Sequence, residues 1–322
     1  MQSTIFAVSD DPFCLWERDV KQRNLEFLDG LDPDYFYYVL ETHLNAEDEK
    51  RAVIALRQSL HHAIETMFSL LGAFVQAPDC VYAWIAKCSN TQLREVVGRI
   101  TQGDPELATK LIIPAIDWRS IAAVIFATYL PGTERQSDTV ERYATLWVRL
   151  SSELTNEAQI DEHNSLKHGF RFRSGGFALA FGVEPEFGVS PPESVMRTLG
   201  GSTFGATFFK IEKLGPKKSS PHIRSRRTSV NWSLERTALL LQLAHMSICN
   251  VISALRIVNG VPPAECKFLR PQHDSDFERP WLYSTGVTSM NLDFTIDEQR
   301  LSEVTKSELL ERLRKKNRQA DE

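Results

Sequence analysis

The sequence predicts a mainly α protein, a helical bundle carrying a small antiparallel β-hairpin insertion. Three observations predict it. Apolar residues recur at three-and-four spacing through three long stretches, as they do along one face of an α-helix. Between the second and third stretch, aromatics alternate on either side of Gly175-Gly176, the pattern of a two-strand hairpin. Helix-stopping residues stand where each stretch should end, at Pro78, Gly169 and Gly260.

Taken in order, Asp11-Pro12 opens a short helix that Gly30 closes, and Asp32-Pro33 opens an aromatic one through Tyr35-Phe36-Tyr37-Tyr38. The first long helix covers 47–75, with Val53, Leu56, Leu60, Ile64, Met67, Leu71 and Phe74 on one stripe. Shorter helices follow at 80–88, 90–102 and 117–130, and Pro131-Gly132 turns the chain. The second long helix covers 137–167, with Gly169 placed for a left-handed C-terminal cap. The hairpin occupies 170–181, an irregular Gly/Pro-rich loop 182–202, a further strand 207–214 and a basic loop 215–228. The third long helix, 231–258, carries Leu234, Ala238, Leu241, His245, Ile248, Ile252 and Leu255 on its stripe. The organisation that follows is a bundle begun by 1–169, a hairpin and basic loop inserted at 170–227, and a bundle-completing helix at 228–260. The C-terminal segment 261–322 reads as irregular, with a short terminal helix over 302–316.

Composition narrows the function classes. A chain of 322 residues can bury a sizeable core, and its 42% hydrophobic and 25% charged residues are those of a globular protein rather than a disordered one. The net charge of −5 gives no global positive field, so nucleic-acid contact would need a local patch. Cys14, Cys80, Cys88, Cys249 and Cys266 are odd in number and scattered. With no signal peptide in evidence, they suggest reduced thiols in a cytoplasmic protein. The most apolar stretch, 234–258, holds Glu235, Arg236, Gln242, His245, Asn250 and Arg256, too polar a set for a bilayer core, so no membrane association is expected. Phosphate-cradling glycine motifs and a Gly-x-Ser-x-Gly elbow are absent, which argues against nucleotide and serine hydrolysis. Paired Glu-x-x-His motifs and His-Glu-x-x-His are absent too, so neither a metal nor another cofactor is expected. His61-His62 read as boundary residues of the first stripe, and His245 as a core histidine.

The chemistry concentrates at the end of the second long helix. With Leu150 as reference on an uninterrupted helix, Tyr143, Trp147, Leu154, Glu157, Asp161 and Asn164 fall within about 60° of one face. His168 lies about five turns further along, while His163 points about 140° away from it. The face thus passes from apolar to acid, amide and imidazole. Polar groups on a core-facing stripe are costly unless paired or used. A helix-end histidine can also simply cap free carbonyls.

The segment Asn164-x-x-Lys167-His168-Gly169 after a long helix resembles the terminal motif of HEPN domains, helical bundles in which an Arg, followed by a polar residue, precedes a His by a few positions. Asn164 and His168 match the polar and His positions, and His163 stands where the family has its Arg. Arg57 and His62 satisfy the bare Arg-to-His spacing as well. The resemblance implies an RNA-directed protein, a metal-independent ribonuclease of a defence or toxin system that acts from the cleft of a homodimer. His168 would exchange the proton, Asn164 would orient it, and Lys167 or Arg171 would supply the missing cation beside the phosphate. The basic loop, with Lys217, Lys218, Arg224, Arg226 and Arg227, and the neighbouring Arg171 and Arg173 form the best local phosphate-binding patch. No aromatic is interleaved in that loop, so base stacking is not indicated. The alternative is a non-catalytic interaction protein whose polar seam binds a cognate protein partner.

Overall fold

The computed structural model describes residues 4–16, 20–128, 134–169, 171–214, 222–295 and 305–320. The chain opens with a hairpin, strand β1 (Thr4–Val8) against β2 (Asp11–Trp16), before helix α1 (Val20–Asp29). The sequence placed a helix from Asp11; the strand wins because Phe6 and Val8 are buried in the bundle core. Ser9, at φ 59°, makes the tight turn, and its backbone N–H donates to Gln76 Oε1 at 3.1 Å.

Helices α2 (Asp34–Leu44), α3 (Glu49–Gln76), α4 (Val81–Lys87), α5 (Asn90–Gln102) and α6 (Trp118–Ile125) stand close to where spacing and caps put them. Asp48 caps α3 by accepting from Arg51 N–H at 3.1 Å. Ser89 and Gln92 form a capping box on α5, and Gly103 ends it at φ 67°. The Pro131-Gly132 turn lies outside the described residues.

The second long helix is two helices. Helix α7 (Glu134–Thr155) ends at Asn156, whose backbone at ψ 127° is extended. The Asn156 side chain accepts from Ala158 N–H at 2.9 Å and Gln159 N–H at 3.4 Å and so starts α8 (Glu157–Lys167). An N-cap inside the helical pattern resets the phase, so no single face runs from Leu150 to His168. Gly169, at φ 61°, is left-handed as expected.

Strands β3 (Phe172–Ser174) and β4 (Ala178–Phe181) flank Gly175-Gly176 but do not pair with each other. The chain continues through β5 (Arg197–Gly201), β6 (Gly205–Leu214), β7 (His222–Asn231), helix α9 (Leu234–Val258), β8 (Ser289–Thr295) and helix α10 (Lys306–Ala320). β4 pairs with β5, while β3 joins an antiparallel sheet in the order β3-β6-β7-β8. The two glycines permit a close crossing, not a hairpin turn: a Cβ on Gly176 would lie 2.2 Å from the Ser202 carbonyl oxygen. The loop expected over 182–202 thus supplies a strand, and 222–228, expected in the basic loop, belongs to β7.

Helices α3 and α9 run through the main core, with Phe68, Trp84, Tyr143 and Trp147 among its largest buried side chains. Helix α9 is long and apolar enough to cross a bilayer, and 83% of its apolar window is buried inside the protein. A second, smaller core of Val53, Leu166, Ala206, Phe208, Val230 and Trp232 joins the inner sheet face to α3 and α8. The segment after α9 is not a loose tail. The Leu269 carbonyl accepts from Tyr143 Oη at 2.7 Å and Asn250 Nδ2 at 2.8 Å, and Phe277 is buried edge-on to Tyr143.

Candidate functional site

Where the second core meets the bundle, a carboxylate is buried. Glu162, 1% exposed, stands four residues before Leu166 on the face of α8 turned to α3 and the sheet. Arg57 and His61, one turn apart on α3, both reach it. Arg57 Nε and His61 Nε2 meet Glu162 Oε1, the latter at 2.9 Å, and Trp232 Nε1 donates to the same oxygen at 3.1 Å. The second guanidinium arm of Arg57 reaches Glu162 Oε2 at 3.3 Å and donates to Gln159 Oε1. Burial pushes the Glu162 carboxyl up, but the Arg57 charge and the His61 hydrogen bond outweigh it and hold the pKa at about 2. Burial lowers the pKa of His61, with the hydrogen bond to Glu162 opposing it. On its sheet side the node borders a cavity of about 200 Å³, lined by Arg57, Gln159, Glu162 and Trp232 with Glu153 and Arg236, and on its other side it positions neighbouring residues.

Those neighbours line a cleft. The His163 ring stacks on His61 with centroids 4.9 Å apart and planes within 5°. Its Nδ1 lies 3.3 Å from Glu65 Oε1, an oxygen that also accepts from Asn90 Nδ2 at 2.8 Å. Two carboxylate–imidazole pairs, Glu162 with His61 and Glu65 with His163, thus lie side by side, one buried and one partly exposed. His163 opens onto a cleft of about 490 Å³ between α2, α3 and α8, lined also by Tyr35, His43, Ser59, His62, Glu65 and Lys167. His62 stands edge-on to Phe36 at 5.3 Å. Loss of water against that ring lowers its pKa, Glu65 opposes, and His163 and Lys167 add to the lowering. For Glu65, burial works upward, but the hydrogen bond and charge of His163, with Lys167 and Arg94 behind, hold it below its ordinary value. The arrangement offers three imidazoles, His43, His62 and His163, the last oriented by a carboxylate, and a lysine on a solvent-open wall. A cleft of this size can hold one nucleotide-sized group.

The sequence-derived residues divide. His163 and Lys167 line this cleft; Asn164 and His168 do not. Both of the latter are exposed, and His168, the C-cap of α8, donates its backbone N–H to the Asn164 carbonyl at 3.2 Å. His245 faces Asp34, Tyr37 and Cys249. Lys217 and Lys218 lie outside the described residues. Arg224 and Arg226 are already paired with Glu212 and Asp293 on the neighbouring strands.

The outer sheet face differs. Alternation along the register puts Arg173, Phe209, Ile211, Arg227, Leu292 and Phe294 on it. Phe209, Ile211, Leu292 and Phe294 are exposed, and the Arg227 guanidinium lies 5.9 Å from the Phe294 ring. Aromatics are therefore interleaved with these arginines after all, contributed by strands β6 and β8 across the register. Arg171 is exposed just before β3.

Neither a family model, nor a curated protein, nor a solved structure matches the chain. Reading along the sequence assigned Glu162, Glu65 and Trp232 no part in the site, noted Arg57 and His62 only for their Arg-to-His spacing, and took His61-His62 as boundary residues of the stripe. The usable signal was weak: Arg57, His61 and Glu65 recur every fourth residue beside the Leu56 and Leu60 stripe. That spacing marks a polar face next to the core without saying what it meets.

Proposed function

We propose that the chain is an RNA-directed protein that cleaves phosphodiesters without a metal, acting from the cleft between α2, α3 and α8. The observation that carries this reading is the convergence of His62, His163, Glu65 and Lys167 on one solvent-open wall. One imidazole takes the proton of a ribose 2′-hydroxyl, whose oxygen attacks the adjacent phosphorus. The other gives its proton to the departing 5′-oxygen, leaving a 2′,3′-cyclic phosphate. His62, with its lowered pKa, suits the base, and His163, whose ring is held by Glu65, suits the acid. Lys167 supplies positive charge beside the phosphate. The outer sheet face, with Arg173 and Arg227 beside Phe209 and Phe294, has the mixed cationic and aromatic character that single-stranded nucleic acid favours. The reading keeps the RNA chemistry that the HEPN resemblance implies and moves its centre from His168 to the cleft.

The test is cleavage of labelled single-stranded RNA in EDTA by wild type, His62→Gln, His163→Gln and His168→Ala, each checked for folding by circular dichroism. Both glutamine variants should lose about 10²-fold or more in rate, and His168→Ala should retain wild-type rate. Loss confined to His168→Ala would return the centre to the helix end. A folded wild type that leaves RNA intact would sink the nuclease reading. A second reading, a non-catalytic interaction protein, draws on Phe181, Val183, Phe187 and Leu199, each exposed in the segment from β4 to β5.

A further inference from the structure

Away from the cleft, three side chains of different chemistry meet where α2 begins. His245 and Cys249 are one turn apart on α9 and so project from the same face. Asp34, the first residue of α2, stands across from them. Asp34 Oδ1 lies 3.3 Å from His245 Nε2, Cys249 Sγ lies 3.4 Å from the same nitrogen, and the three donor atoms all fall within 4.8 Å of one another. We propose that Asp34, His245 and Cys249 form a binding site for one divalent transition-metal ion of the zinc class.

The two distances to His245 Nε2, 3.3 and 3.4 Å, fit such an ion. Tetrahedral zinc, with bonds of about 2.0 Å to nitrogen or oxygen and 2.3 Å to sulfur, sets neighbouring ligand atoms roughly 3.3–3.6 Å apart. The donor set, one thiolate, one imidazole and one carboxylate, is borderline-soft and unlike the all-oxygen shells of magnesium or calcium. The arrangement does not serve as a nucleophilic triad. A triad histidine uses one ring nitrogen for the nucleophile and the other for the acid. Here thiol and carboxylate approach the same Nε2, and Nδ1 is buried without a hydrogen-bond partner. One in-plane lone pair cannot serve both groups at once, whereas a cation placed between the three atoms serves all of them.

The surroundings suit a bound ion that stays in contact with solvent. The His245 ring is 6% exposed and packs against Tyr37 at 5.7 Å, which limits its rotation. The Asp34 side chain is 84% exposed, so a fourth ligand position faces water. Binding displaces the Cys249 thiol proton to solvent. It joins the start of α2 to the middle of α9.

The probe is cobalt(II), whose bond to a thiolate gives a near-ultraviolet charge-transfer band and whose tetrahedral complexes absorb in the visible. Full-length protein, stripped with chelator and dialysed, is titrated with cobalt(II) and then with zinc(II). The expected result is one cobalt per chain with a thiolate band that zinc abolishes. Cys249→Ser should remove the band, and Asp34→Asn should weaken cobalt binding by about tenfold or more. Cys266→Ser should leave both unchanged. Asp34 and Cys249 lie outside the deep core, and circular dichroism confirms that each variant is folded. A folded wild type that shows no thiolate band at saturating cobalt overturns the site. So does a band that survives Cys249→Ser.

Discussion

At the residue scale, the decisive group is Glu162. Its carboxylate is buried with Arg57, His61 and Trp232 around it, and removing it leaves the Arg57 charge buried without its counter-ion and the Trp232 indole N–H without its acceptor. Glu162→Gln should therefore destabilise the fold by about 3–5 kcal/mol in urea denaturation, while Arg57→Met combined with Glu162→Leu should cost less than Glu162→Gln alone. The pH dependence follows from the same groups. Glu162 is held at about 2, below its ordinary 4.5, so its contribution is fully present above 4.5 and is lost as pH falls toward 2. His61 is lowered from 6.5, so below that pH the unfolded chain takes up the proton first and stability falls. Stability should thus decline in two stages on acidification, and the lower stage should shrink in Glu162→Gln, the remainder coming from carboxylates such as Glu65 and Glu212 that are also held below their ordinary values. His168→Ala, by contrast, alters an exposed side chain and should change stability by no more than about 0.5 kcal/mol.

Elements matter through their ends and their contacts. Asn156 is the reason α7 and α8 are two helices, because its side chain satisfies the first N–H groups of α8. Asn156→Ala should cost about 0.5–2 kcal/mol, and Asn156→Gly only a few tenths. The effect should reach the cleft, since α8 carries Glu162, His163 and Lys167; hydrogen exchange of α8 amides would show it. Inside α3, Gly72 makes room for another helix: a Cβ there would stand 2.5 Å from the Trp84 ring. Trp84 is fully buried and donates its indole N–H to Gln76 Oε1 at 3.0 Å, so it cannot move aside. Gly72→Ala should destabilise by about 1–3 kcal/mol despite the better helix former, as a lowered Tm would report.

For the whole molecule, the segment after α9 decides whether the sheet is finished. β8 pairs along β7 from Val230 to Arg224, and Asn291 and Asp293 engage Thr228, Arg224 and Arg226. Removing 289–322 would leave β7 as an open edge beside the exposed Phe209 and Ile211. Such an edge pairs with other chains. The truncated protein should elute as soluble aggregate or fail to stay in solution, where the full chain elutes as a discrete species by size exclusion.

Local signals made most of the helices legible. The stripe of α3, the capping box of α5, the length of α9 and the left-handed Gly169 are each encoded within a few residues, so the helical majority and several helix ends could be read directly, though not the break at Asn156. Pairings between distant residues could not. β3 takes β6 as its partner and β4 takes β5, although the glycines between β3 and β4 carry a hairpin's signature. Glu162 meets Arg57 from 105 positions away. The cleft joins His62 and Glu65 to His163 and Lys167, and the arginines of β3 and β7 gain their aromatic neighbours only from adjacent strands. Sequence by itself determined where most chain segments are helical and which faces of the long helices α3 and α9 are apolar, because those follow from propensity and period. Only the tertiary structure decided which charges are buried together and which histidines face solvent. Those outcomes depend on what packs opposite each side chain, and no local pattern encodes that.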